Sequence, residues 1–150
     1  MGLKEELESD LKQALRNKDE PRKTTLRLAL AAIKNAEIAR RGQLDENELT
    51  AVVSQQAKQR RESVAQFAAG GRQDLVAQEE EELKILMDYL PPQLSEEEIR
   101  SRALEVIEQV EATSLAQMGD VMRVLMPQLK GKADGQVVSA IVKGLLSQMG

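Results

Sequence analysis

Apolar residues recur at three- and four-residue intervals along most of this chain, and clusters of Gly, Pro, Asp, Ser and Thr interrupt the recurrence. Spacing of this kind predicts amphipathic helices, because residues three and four apart share one helix face. Leu3, Leu7, Leu11, Ala14 and Leu15 predict a first helix over 3–17, with charges on its other face. Asp19 and Pro21 stop it and start the next, since proline fits only the first turn of a helix. That second helix, over 21–41, carries the stripe Leu26, Leu30, Ile33 and Ile38 and ends at Gly42, a favourable C-cap. Asp45 followed three residues later by Glu48 has the pattern of a capping box and opens a third helix. Its inward set is Leu49, Val52, Val53, Gln56, Val64 and Phe67, and Gly70-Gly71 end it. A fourth, over 74–90, turns Val76, Leu83, Leu86, Met87 and Leu90 inward.

Pro91-Pro92 then breaks the chain, because two successive prolines stop any helix and stiffen the linker. Ser95 and Glu98 form a second capping-box pair, and Ile99, Ala103, Val106 and Ile107 make the stripe of a fifth helix. Thr113 or Ser114 is the expected cap of a sixth, which contains Leu115, Met118, Met122, Leu125 and Met126 and which Pro127 should end or kink. After the loop 130–135, Val137, Val138, Ile141, Val142, Leu145 and Leu146 predict a seventh. No segment alternates with period two for long enough to be a strand. The expected fold is therefore all-α, with a four-helix N-terminal unit over 1–92 and a three-helix C-terminal unit over 93–150.

Composition narrows the chemistry. The chain has no Cys and no His. Disulfides, zinc–thiolate sites and thiol catalysis are excluded, as are Cys–His and Ser–His–Asp nucleophiles. No catalytic residue, metal ligand or cofactor site is indicated. The run Glu79-Glu80-Glu81-Glu82 points around a helix rather than at one ion, and reads as a solvated face. No apolar run approaches the ~18 residues that span a bilayer. The first ten residues carry charges where a signal peptide has its apolar centre, so the expected location is cytoplasmic.

Charge is unevenly spread. Over 16–41 there are eight Lys and Arg, among them Arg22, Lys23, Arg27 and Lys34, against three Asp and Glu, in a chain of net charge −4. Lys58, Arg60, Arg61 and Arg72 make a second cluster. Such tracts suit phosphates, since Lys and Arg contacts to the backbone supply most nucleic-acid affinity; an ordinary solvated helix face gives the same pattern. Lys130-Gly131-Lys132, just ahead of a helix N-terminus, is a third candidate phosphate contact, or simply a helix–helix turn. Only Phe67 and Tyr89 are aromatic. With no platform for base stacking, any RNA ligand must be read through its shape and backbone. Met118, Met122 and Met126, four residues apart, suit either a core or an adaptable groove for a protein partner.

Several stretches in their order resemble the stand-alone YqeY-type branch of the GatB/YqeY family. They are Leu26-Arg27-Leu28 through Ala31-Ala32-Ile33-Lys34-Asn35-Ala36-Glu37-Ile38, then Lys58-Gln59-Arg60-Arg61-Glu62-Ser63, then Gly71-Arg72-Gln73-Asp74-Leu75. Tyr89-Leu90-Pro91-Pro92-Gln93-Leu94-Ser95, Met118-Gly119-Asp120-Val121-Met122 and Met126-Pro127 with Lys130-Gly131-Lys132-Ala133-Asp134-Gly135 complete the series. The family is similar to the helical and tail region of the B subunit of glutamine-dependent tRNA amidotransferase, a carbon–nitrogen ligase that takes its amide nitrogen from glutamine. The resemblance covers the tail and not the catalytic fold. It implies a tRNA-facing adaptor rather than an enzyme, with Lys130 and Lys132 on phosphate, Gly131 allowing close approach, and Asp134 capping the last helix.

Overall fold

Helix boundaries fall where the backbone finds a cap. The computed structural model describes residues 2–149; Met1 and Gly150 lie outside the described residues. Among these residues there are seven α-helices and no strand: α1 (Leu3–Arg16), α2 (Glu20–Arg40), α3 (Glu46–Ala69), α4 (Gln73–Met87), α5 (Glu96–Gln109), α6 (Met118–Leu129) and α7 (Gly135–Met149). The chain is all-α, as its periodicity predicts. Both capping boxes form. The Asp45 carboxylate accepts from the Glu48 N–H at 2.8 Å and the Ser95 hydroxyl from the Glu98 N–H at 3.2 Å, with each Glu returning a bond to the cap N–H. A cap of this kind contributes about 1 kcal/mol. Asp19 caps α2, with Pro21 in its first turn.

The chain divides into two compact units, Met1–Leu90 and Pro91–Gly150. In the first, α1 to α4 surround one apolar cluster. Leu7, Leu26, Ile33 and Val53 are fully excluded from water within it, and Leu86 nearly so. Each such side chain contributes about 1.5–3 kcal/mol on burial. Several members of the predicted stripes are not in it, Gln56, Val64, Phe67 and Val76 of α3 and α4 among them. Ala14 is buried while its neighbour Leu15 is 44% exposed, and Ile38 is 64% exposed. The last buried residue of α2 is Ile33, so Ile38 sits on the final two turns, which carry no buried residue. That helix ends on Arg41 in the left-handed region (φ 63°) rather than on Gly42. The Arg41 and Gly42 N–H groups close the last turn on Ile38 and Glu37 carbonyls.

The α3–α4 hairpin is longer than the core it serves. Twenty-four residues make α3 about 36 Å long, yet its buried residues, Leu49, Val53 and Ala57, all lie in its first half. From 58 to 82 the hairpin supplies no member of the core cluster. Its turn uses Gly71 at φ 73°, a conformation that favours glycine.

In the second unit, Ile99, Ala103, Val106 and Ile107 of α5 meet Val121, Leu125 and Leu129 of α6 and Val138, Val142 and Leu146 of α7. The four-residue steps in α6 and α7 aim one row of each helix at a common axis. Here the expected stripe of α6 is corrected: Val121 and Leu129 share the inner row with Leu125, while Met118, Met122 and Met126 flank it, half-buried against the cluster. Those methionines are packing, not an open groove. Leu115, expected within the sixth helix, is 42% exposed on a 3₁₀ turn (Leu115–Gln117) that precedes α6, and neither Thr113 nor Ser114 caps that helix through its side chain. Pro127 does not end α6, which runs on to Leu129. Lacking an N–H, Pro127 leaves the Arg123 carbonyl one turn back without its helical partner. Pro91 to Leu94 is tied into this unit: Gln93 Nε2 donates to the Pro91 and Gly131 carbonyls at 2.8 and 2.9 Å, and the Leu94 N–H to the Lys132 carbonyl at 2.9 Å. None of the described helices is long and apolar enough to cross a membrane.

Candidate nucleic-acid interface

On α2 the residues opposite the buried row are Arg27, Ala31, Lys34 and Ile38, all exposed, with Arg41 beyond the helix end. Seven residues separate Arg27 from Lys34, so the two follow one another on α2 at about 10.5 Å of rise with about 20° of drift, and Arg41, in the left-handed region, comes after the helix end. None of the three has an ion-pair partner among the described residues. The carboxylate on this part of α2, Glu37, is already held. Lys4 Nζ donates to it at 2.9 Å and the Leu44 N–H at 3.3 Å, and the Lys4 contact keeps the Glu37 carboxyl below its ordinary range. The result is a cationic ridge with no unengaged carboxylate between Arg27 and Arg41.

The other basic candidates are differently placed. Arg22 is structural: its Nη1 donates to the Tyr89 hydroxyl at 3.2 Å, and its guanidinium also approaches Asp88 at 3.7 Å. Tyr89 in turn donates to Asp10 at 2.6 Å. Burial, reinforced by Asp10, pushes the Tyr89 phenol well above its usual range. Lys23 pairs with Glu20 at 3.0 Å, one turn back on α2. Arg61 is half-buried, with Nη2 3.4 Å from the Met87 sulfur.

Arg60 is withdrawn from the surface. Its side chain is 12% exposed, and its Nε lies 3.1 Å from a Glu82 carboxylate oxygen and 3.5 Å from one of Glu79. The run of four glutamates is thus not a solvated face throughout. Glu82 is buried and Glu79 largely so, and both turn toward α3 to neutralise Arg60. Burial pushes the Glu82 carboxyl above its ordinary range, and Arg60 opposes that shift. The acidic run and Lys58-Gln59-Arg60-Arg61 are distant in sequence, and no local pattern joins them.

The loop 130–135 is a turn with a fixed backbone. Gly131 takes φ 78°, and the Lys132 N–H closes on the Leu129 carbonyl at 2.9 Å. The Gly131 and Lys132 carbonyls are both occupied by the 93–94 segment. Lys130 is exposed and Lys132 half-buried, and neither is paired among the described residues. Asp134 accepts from the Gln136 N–H at 2.9 Å, so the α7 N-terminus already carries a carboxylate at the place an incoming anion would take.

One surface feature has no sequence signature. Between α5 and α7 lies an open groove of about 470 Å³, with Val137, Ala140, Ile141, Gly144 and Leu145 as its apolar lining and Arg100, Glu96, Asp134, Gln136 and Gln148 as its polar one.

The sequence profile described as "Yqey-like protein" matches residues 4–146, almost the whole chain. The protein belongs to the YqeY family. Among curated family relatives, "Altered inheritance of mitochondria protein 41, mitochondrial" from Eremothecium gossypii is 40% identical over 110 residues, covering 71% of this chain and 60% of its own length. Proteins of the same name from Kluyveromyces lactis and Saccharomyces cerevisiae are 41% identical over 104 residues and 45% identical over 85. These alignments cover 67% and 56% of this chain, and 56% and 46% of those proteins. The chain spans about half the length of the curated relatives it matches. Their names correct the expectation of a cytoplasmic location, which rested on the charged first residues: a YqeY protein with this much identity is named as mitochondrial.

Proposed function

We propose that this YqeY protein is a tRNA-associated adaptor that holds folded RNA by its phosphate backbone and brings no bond-making chemistry of its own. The observation that supports the reading is the α2 ridge, where Arg27 and Lys34 stand exposed and unpaired on one helix face and Arg41 stands exposed and unpaired just past the helix end. Cations at regular intervals on a rigid helix suit a regular phosphate backbone. Tyr89 is buried and Phe67 half-buried, so neither ring is offered for stacking on an unpaired base. Lys130 is a second contact on the other unit. The family's similarity to the tail of the tRNA amidotransferase B subunit names the RNA class, and the relatives' names suggest a mitochondrial setting for it.

The test is a fluorescence-anisotropy titration against total tRNA at about 50 and 200 mM salt, the range over which phosphate contacts lose affinity steeply. Arg27→Glu with Lys34→Glu removes two phosphate contacts. At about 0.7–0.9 in logarithmic slope for each, the loss of affinity between the two salt concentrations shrinks by about tenfold. Lys130→Glu with Lys132→Glu is the parallel test of the loop. An unchanged affinity and salt slope in the α2 double variant would sink the reading.

A further inference from the structure

Heptad spacing recurs on the outside of α2. Thr24, Leu28, Ala31, Asn35 and Ile38 follow one another at steps of four, three, four and three residues, and all five are exposed. Such steps keep a narrow seam on one helix face, the seam along which a second helix packs. Leu28 is 45% exposed and Ile38 64%, and neither belongs to the core cluster, which takes Leu26, Ala29 and Ile33 from the opposite face. Arg27 and Lys34 each stand one position ahead of a seam residue, where a packing helix sets its choice of partner by charge. Neither cation has an ion-pair partner among the described residues. Glu37 is held by Lys4 and the Leu44 N–H, and other carboxylates, Glu20 and Glu81, lie at the Thr24 end, where Glu20 pairs with Lys23.

We infer that the outer seam of α2 docks an amphipathic helix of a different protein, which lays apolar side chains on Leu28, Ala31 and Ile38 and carries carboxylates along the flank that meets Arg27 and Lys34. The charge of that flank decides among the occupants. A second copy of this chain laid antiparallel would set Arg27 and Lys34 against the same cations of its partner. Laid parallel, it would set them against the uncharged Ala32 and Ala39. A phosphate backbone would use the cations and leave Leu28 and Ile38 in water. An acidic amphipathic helix engages the cations and covers the apolar seam together. RNA and the docked helix share Arg27 and Lys34, so each excludes the other, but the docking does not depend on the RNA reading.

The probe is a synthetic helix of about three heptads with leucine along its seam and glutamate at the flanking positions, beside the same peptide with lysine in place of each glutamate. Binding is followed by amide chemical-shift mapping on the full chain without RNA. The glutamate peptide should shift residues 24–38 and bind about tenfold tighter than the lysine peptide. Arg27→Glu with Lys34→Glu should reverse that preference. Leu28→Gln with Ile38→Gln should weaken the glutamate peptide about tenfold, with circular dichroism unchanged because both positions lie outside the core. Ala31→Gln, which fills the seam between them, is the second variant and should weaken it as well. No shift up to about 1 mM peptide overturns the proposal, as does a preference that Arg27→Glu with Lys34→Glu leaves in place. So does a dimer in sedimentation equilibrium that Leu28→Gln with Ile38→Gln abolishes, which would make a second copy the occupant. Binding of tRNA that the same pair weakens as much as it weakens the peptide would give the seam to RNA and equally refute the docking.

Discussion

Replacing Arg60 by Met should destabilise the first unit sharply, although arginine is a surface residue in most proteins. The methionine keeps most of the packing volume and removes the charge. Glu82, 7% exposed at its side chain, and Glu79, 18% exposed, then face each other with no cation between them. Removing one member of a buried ion pair costs about 3–5 kcal/mol, and the residual exposure of Glu79 argues for about 3. With a urea m-value of about 1–1.5 kcal/mol/M for a unit of this size, the midpoint should fall by about 2 M. The chain has one Tyr and no Trp, and Tyr89 sits in the first unit's core, so its fluorescence reports that unit alone. The effect should also depend on pH. The folded Glu82 carboxyl already lies above its unfolded value because it is buried. Its folded form therefore holds its proton to higher pH, and stability falls as pH rises from the unfolded carboxylate value through the folded one. Without Arg60 the folded value rises further. The loss should thus be larger at pH 7 than at pH 5, and adding Glu82→Leu should recover most of it. A midpoint shift below about 0.5 M, or one independent of pH, would show that the glutamates reach water and that Arg60 pairs with them at no energetic consequence.

Leu125→Ala empties a fully buried site in the second unit and should cost about 3 kcal/mol there. Far-UV circular dichroism should then lose part of its transition early while the Tyr89 fluorescence midpoint stays in place. Tyr89→Phe removes the hydrogen bonds to Asp10 and Arg22 and should cost about 2 kcal/mol, since one of them meets a carboxylate. The native phenol is held protonated above its usual range, so wild-type stability should decline as pH rises past about 10, and the variant should lose that decline in an alkaline denaturation series. Gly131→Ala forces a side chain onto φ 78° and should lower second-unit stability by about 1 kcal/mol in urea titrations.

Within each helix most of the fold is legible from the sequence. Capping boxes at Asp45 and Ser95, the stop at Gly70-Gly71 and the break at Pro91-Pro92 act over three or four residues, so the pattern that encodes them is local. The stripes are legible for the same reason, except where a helix outruns its core, as at Ile38, Val64 and Phe67, or where adjacent positions compete for it. Leu15 and Ala14 are neighbours on a helix, and which of them is covered depends on where α2 crosses. In α6 the methionines and the row Val121-Leu125-Leu129 compete for the same interior. Only the position of α5 and α7 shows that the narrower row fits.

The basic candidates divide along the same line. The sequence shows that 16–41 is rich in cations, but it does not distinguish one cation from another. Folding engages Arg22 with Tyr89 and Arg60 with Glu79 and Glu82, and leaves Arg27, Lys34 and Arg41 unpaired. What the sequence alone determined is therefore the all-helical fold, the exclusion of Cys- and His-based chemistry, and family membership, because periodicity, composition and ordered local motifs need no knowledge of what lies across the chain. Tertiary structure alone decided which charges are neutralised inside the molecule and where α5 and α7 leave a groove. Those outcomes depend on distances between residues far apart in sequence, and such distances exist only once the helices pack.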